Sequence, residues 1–223
     1  DKVFKNSEYK SAVVFGLAYN KQIIEENKLK EKEFYLSSYC YGTDYHIIIK
    51  DKLKIIKEFI NNNGYKAEIF ADNNVLDERY LAYEAGLGFF GLNNLLINDE
   101  YGSYFFIGVI LTDAVFKYNE KTNKKCFLCG KCIEKCPTKA INKSGVLDGN
   151  KCLSYLTQKS NVSKEEEKFF NRCIFGCDIC SKVCPHNENV KITNNFTFSG
   201  IELIETDKFK SMSKEEFNRI YEN

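Results

Sequence analysis

Four cysteines crowd into eleven residues, Cys126, Cys129, Cys132 and Cys136, and Pro137 follows them. This stretch, CFLCGKCIEKCP, constrains the chain more tightly than anything else in it. A C-x2-C-x2-C-x3-C-P run lets a tight loop set three thiolates on three corners of one iron-sulfur cubane. The fourth thiolate, one turn into a helix, points away to a neighbouring cluster.

A second cluster requires a second set of thiols, and a shorter copy follows as CDICSKVCP, with Cys177, Cys180, Cys184 and Pro185. One ligand is still missing, and Cys152, sixteen residues after Cys136, supplies it. The crossover pattern then predicts two [4Fe-4S] clusters. Cys126, Cys129, Cys132 and Cys184 hold the first, and Cys136, Cys152, Cys177 and Cys180 hold the second. Tetrahedral zinc also suits paired CxxC motifs. It accounts neither for the x2-x2-x3 run nor for the placement of the chain's only two prolines after the terminal cysteines. Cys173 reads as a packed thiol and Cys40 as a residue of another region.

Nine of the ten cysteines lie between 126 and 184, a clustering that favours metal ligation in a reducing, cytoplasmic compartment over a spread disulfide framework. Lys and Arg total 32 against 31 Asp and Glu, so the chain lacks the global basic excess of a dedicated nucleic-acid binder. One local excess exists. Lys117, Lys121, Lys124, Lys125, Lys131 and Lys135 face only Glu120 and Glu134 between 117 and 136, which suits an acidic electron donor, a phosphate backbone or simply water. The longest apolar run, YFFIGVIL at 104–111, is too short for a membrane span.

The first 116 residues alternate strand and helix signals. SAVVFGLAY (11–19) and YKAEIFA (65–71) read as strands. Between them Ile49, Leu53, Ile56 and Ile60 share one helical face, with Gly64 as the stop. DERYLAYEAGLG (77–88) predicts a short helix, and NLLIN with SYFFIGVILT, joined by DEYG, predicts a hairpin. Gly86, Gly88, Gly91 and Gly102 predict loops approached closely by another backbone or a ligand. Ser163 with Glu166 and Ser213 with Glu216 read as capping boxes. The expected organisation is an α/β (α+β) domain with a mixed sheet over 1–116, a ferredoxin-like two-cluster domain over 117–190, and a strand and helix tail over 191–223.

The segments DYH at 44–46, ADNNVLDERYLAYEAGLGFFGLNNLLINDEYGSYFFIGVILTD, CLSYLT and GCDICSKVCPHN, taken with the cluster set, resemble the epoxyqueuosine reductases. These are cobalamin-dependent, two-cluster enzymes distantly similar to reductive dehalogenases. The chain is shortened at its N-terminus relative to them, and Leu92 stands where they usually carry lysine. The resemblance implies reduction of epoxyqueuosine to queuosine in tRNA, with electrons from a donor such as ferredoxin or flavodoxin and no membrane partner. It implies Asp72 as the proton donor, a residue that composition alone reads as part of a turn. It further implies Tyr45, Leu96, Asn98, Gly102, Ser103 and Ser154 as cobalamin contacts, Cys40 as a neighbour of the same pocket, and His186 as no ligand of cobalt. Two other readings fit the same residues: a two-cluster electron-transfer protein without cobalamin, and a cobalamin-dependent reductase of another small electrophile.

Overall fold

The structure is a computed structural model and describes residues 8–19, 28–72, 74–196 and 200–221. Strand β1 (Ser11–Ala18), β2 (Glu33–Leu36), helix α1 (Tyr45–Asn62), β3 (Ala67–Phe70) and α2 (Glu78–Glu84) occupy its first part. Asp44 caps α1, its carboxylate accepting from the His46 N–H at 2.8 Å, and the helix stops two residues before Gly64, whose φ is +85°. The shared face of α1 is the buried one: Ile49, Leu53 and Ile60 pack with Ala71 and Ile110, joined by Ile56, Val13, Phe15 and Phe106. Burying each of these large side chains contributes about 1.5–3 kcal/mol.

After β4 (Phe89–Phe90) and β5 (Leu96–Ile97), strand β6 (Phe105–Thr112) runs through the centre of an antiparallel sheet ordered β1-β6-β3. The expected hairpin does not form. β6 is paired on one edge with β1 and on the other with β3, so no edge is open to the preceding strand, and β5 pairs instead with β4. Only an isolated bridge, Asn98 to Gly102, marks the turn between them.

The cysteine-rich part holds short helices α3 (Lys131–Lys135), α4 (Leu153–Leu156) and α5 (Lys164–Glu167), strand β7 (Cys173–Phe175) and α6 (Ile179–Lys182). The Ser163–Glu166 capping box starts α5. Strand β8 (Leu203–Glu205), α7 (Thr206–Ser211) and α8 (Lys214–Tyr221) follow, and Ser213 accepts from the Glu216 N–H to start α8. A second, mixed sheet ordered β7-β2-β8 takes strands from residues 33–36, 173–175 and 203–205, with β2 parallel to β7 and antiparallel to β8.

A polar seam fastens the glycine-rich loop to the cysteine-rich part. Asn187, almost fully buried, accepts from the Ser103 N–H at 2.9 Å and donates to Ser103 Oγ and the Ser181 carbonyl, both at 2.8 Å. Gly102 lies against it at φ +59°, where a Cβ would fall 2.0 Å from Asn187 Oδ1. No larger residue fits at that position. Gly86 and Gly88 likewise face backbone, the Glu120 and Ile97 carbonyls, as their clustering predicted.

Candidate functional site

The eight expected ligands gather into two groups. Cys184 has Cys126, Cys129 and Cys132 as its thiol neighbours, and Cys177 has Cys152 and Cys136. Cys180 has Cys177, Cys152, Cys132 and Cys136 among its thiol neighbours, members of both groups. Among the described residues no three Cys, His, Asp or Glu side chains converge as the ligands of a single ion would. The thiols instead border open space. Cys126, Cys129, Cys132 and Cys184 line one cavity of about 310 Å³, counting the part open to solvent, together with Gly91, Asn93 and His186.

Hydrogen-bond donors surround the sulfurs, as thiolate ligands require. The Leu128 N–H reaches Cys126 Sγ at 3.5 Å, helped by a left-handed Leu128 at φ +54°. Backbone N–H groups of Ile133, Ile179 and His186 serve Cys132, Cys177 and Cys184. Cys136 receives the backbone N–H groups of Thr138, Ala140 and Ile141 and faces the Thr138 hydroxyl at 3.6 Å. Thiol grouping and donors fit two polynuclear clusters, and the cavity fits the one held by Cys126, Cys129, Cys132 and Cys184. Cys173 is buried, and Cys40, whose thiol burial pushes up to about 12, belongs to neither group.

A second constellation sits where α1 begins. Asp72, at φ +51° on the loop after β3, accepts a 2.5 Å hydrogen bond from the Tyr45 hydroxyl and lies 3.1 Å from His46 Nε2. The other ring nitrogen, Nδ1, lies 2.7 Å from Asp44 Oδ1. Tyr45 is clamped between rings, stacked on His46 at 4.0 Å and on Phe106 at 4.1 Å. Burial first, then the Asp72 carboxylate, hold the Tyr45 hydroxyl above its ordinary range, so it donates. The Asp72 loop is itself tied to α2: Glu78 Oε1 accepts from the Asp72 N–H at 2.9 Å and from Asn74 Nδ2 at 2.6 Å. Sequence reasoning quoted DYH but gave His46 no role. The signal was a histidine between an N-cap aspartate and the next turn.

The remaining expected contacts occupy other surroundings. Leu96 is buried in β5, and Asn98 spends its amide on the Leu87 carbonyl and on the N–H groups of Glu100 and Tyr101. Gly102 and Ser103 belong to the Asn187 seam, while Ser154 Oγ accepts from Gln158 Nε2 on the opposite part. Among the described residues, neither cavity along the glycine-rich loop is lined by Tyr45 or Asp72. His186 stacks on Phe127 at 3.9 Å and accepts from its N–H at 3.4 Å.

Residues 6–73 match the family described as epoxyqueuosine reductase QueG, DUF1730, and residues 125–187 match the 4Fe-4S double cluster binding domain. The epoxyqueuosine reductase of Cyclobacterium marinum is 36% identical over 210 residues, covering 91% of this chain and 66% of its own length. That of Aliivibrio fischeri is 39% identical over 170 residues, covering 74% and 45%. A crystal structure of epoxyqueuosine reductase with an epoxyqueuosine-modified tRNA-Tyr stem loop superposes with a TM-score of 0.91 at 26% identity, over 99% of this chain and 60% of that one. The enzyme from Streptococcus thermophilus gives 0.88 at 26% identity, over 96% and 59%. The chain thus spans less than two thirds of the length of these relatives. The Cyclobacterium marinum relative aligns across both matched segments, and the chain belongs to the epoxyqueuosine reductase family.

Proposed function

We propose that this chain reduces the epoxide of epoxyqueuosine in tRNA to the alkene of queuosine. The carrying observation is the Asp72 constellation: a carboxyl group on a loop, held by a tyrosine hydroxyl and a histidine, in a chain that also groups eight thiols. Opening an epoxide reductively leaves an oxygen that must be protonated, and Asp72 is the acid offered for it. His46 faces a carboxylate oxygen at each ring nitrogen, which puts a proton-relay group one contact from Asp72. An epoxyqueuosine reductase from Bacillus subtilis has been solved with its catalytic aspartate loop swung out of the active site. The Asp72 loop suits such movement, since Tyr45 and His46 close it by side-chain bonds alone and the carboxyl is half exposed.

When bound, the clusters supply electrons singly at low potential, and cobalamin, which the family resemblance implies, supplies a strongly reducing cobalt. Tyr45 and Asp72 support a cofactor face at the start of α1. Leu96, Asn98, Gly102 and Ser103 would meet it through backbone groups, since the Asn98 amide is committed to the Leu87 carbonyl and the Ser103 hydroxyl to Asn187. Of the first group Cys132 is buried, whereas Cys129 is exposed, and so are its neighbours Phe127, Leu128, Lys124, Lys125 and Lys131. That side suits an acidic donor such as ferredoxin or flavodoxin. The group of Cys177 and Cys180 lies inward, beside Asp178, which accepts from Ser37 and Ser38 in the turn leading to α1. The clustered thiols support a reducing, cytoplasmic setting for this work.

Anaerobic reconstitution with cobalamin tests the cofactor reading. An optical and EPR signature of bound cob(II)alamin, perturbed by Tyr45→Ala, is expected. Two intact clusters without any cobalamin binding would reduce the chain to an electron carrier.

A further inference from the structure

Among the described residues, the Asn93 side chain carries a buried donor with nothing to donate to. Asn93 is 4% exposed, and its Nδ2 finds no hydrogen-bond partner. The orientation of the amide is fixed by its other end, because Oδ1 accepts from the Leu95 N–H at 3.3 Å and the nitrogen must therefore be the free atom. Leaving such a donor buried and unpaired costs about 1–3 kcal/mol, so native chains rarely keep one without a use. The surrounding turn is built to hold it. The Gly91 N–H donates to the Leu95 carbonyl, the Asn94 N–H to the Gly91 carbonyl, and Arg79 Nη1 to the Asn94 carbonyl at 2.8 Å. A Cβ on residue 91 would fall 2.6 Å from Asn93 Oδ1, so only glycine leaves the amide in this pose.

Asn93 lines the same cavity as Cys126, Cys129, Cys132 and Cys184. Every other donor described around these thiols is a backbone N–H belonging to the cysteine loops themselves. We infer that the Asn93 side-chain N–H is a hydrogen-bond donor to a sulfur of the cluster held by these four cysteines, and that it raises the reduction potential of that cluster alone. The physical reason is charge: a reduced cluster carries one more negative charge than an oxidised one, and an N–H dipole aimed at its sulfur favours the reduced form. Asn93 therefore acts as a positioning and tuning residue contributed by the glycine-rich loop, which makes the potential of the outward cluster depend on how that loop is seated. The inference rests on the assignment of the eight cysteines as ligands of two clusters.

The test is a potentiometric EPR titration of the reconstituted two-cluster protein, with Asn93→Leu and the equally sized Asn93→Asp beside wild type. Each variant is expected to lower the reduction equilibrium of one cluster about tenfold, which is about 59 mV for one electron, and to leave the other in place. Pulsed EPR after exchange into deuterated water should show an exchangeable deuteron coupled to the reduced cluster of wild type and missing in Asn93→Leu. Unmoved potentials in both variants, or equal shifts of both clusters, would overturn the inference. If Asn93→Leu assembles poorly, Asn93→Asp alone decides by the same potential shift. A wild-type protein that assembles no clusters would instead defeat the ligand assignment beneath it.

Discussion

The Tyr45 hydroxyl donates to Asp72 Oδ2 at 2.5 Å, joining the first turn of α1 to the loop after β3 across twenty-seven residues of sequence. His46, stacked on Tyr45, lies 3.1 Å from the same carboxylate oxygen. The two ring-bearing neighbours fix the carboxyl group in space without burying it. Removal of either should therefore show in the chemistry before it shows in the fold. His46→Ala is expected to slow epoxide reduction about a hundredfold under multiple turnover, within the range general acid catalysis contributes. The first turnover of a pre-protonated enzyme should be much less affected, and rapid-quench kinetics separate the two. Equal losses in both phases would make His46 a structural support only.

Glu78 holds the same loop from the α2 side. Burial raises its pKa above the usual carboxylate value, with hydrogen bonds from Asn74 and the Asp72 N–H working against the rise. The folded chain therefore binds this proton more tightly than the unfolded chain does. The associated stability is fully present below the unfolded value and is lost as pH rises through the folded one. Glu78→Gln keeps an acceptor oxygen but carries no charge. Its unfolding temperature at pH 7 is expected to equal or exceed that of wild type, and the difference should vanish below about pH 4. A variant less stable at pH 7 than at pH 4, relative to wild type, would show that the charge itself secures the loop.

The Asn187 seam makes a sharper stability claim. Asn187→Leu strips partners from the Ser103 N–H, Ser103 Oγ and the Ser181 carbonyl, all within buried surroundings. A loss of about 2–4 kcal/mol is expected from chemical denaturation monitored by circular dichroism. Gly102→Ala should cost a similar amount, because its Cβ meets Asn187 and its φ lies in the left-handed region. Cluster absorbance should bleach at lower denaturant in both variants.

The proposed ligand sets give each cysteine its own expectation. Cys152→Ser should disrupt the cluster it shares with Cys136, Cys177 and Cys180 and leave the other cluster, while Cys173→Ser should retain about eight irons per chain. Iron analysis with EPR checks both, and loss of iron in Cys173→Ser would require a different ligand set.

The cluster part was legible because ligand spacing is a local constraint: the positions of Cys126 to Cys136 follow from loop geometry, and Cys152 follows from counting. Helix α1 was legible for the same reason, since Ile49, Leu53 and Ile60 repeat at helical spacing and do form its buried face. The failed hairpin shows where local reasoning stops. The DEYG turn is real, but the partner of β6 is decided by β1, eighty-seven or more residues earlier in sequence. His46 and Asn187 escaped notice because a single polar residue gains its meaning from distant partners, Asp72 in one case and Ser103 in the other. Asn93 passed unremarked inside GLGFFGLNN, since an unpaired donor is visible only once every other partner in space is known.

Turnover of an epoxyqueuosine-modified tRNA stem loop by the anaerobically reduced, cobalamin-loaded protein tests the central claim most directly. Mass spectrometry of the released nucleoside should show loss of one oxygen with wild type and none with Asp72→Asn, while both proteins give the same cluster EPR spectra. Undiminished reduction by Asp72→Asn, or a wild type that binds clusters, cobalamin and stem loop yet leaves the epoxide intact, would contradict it.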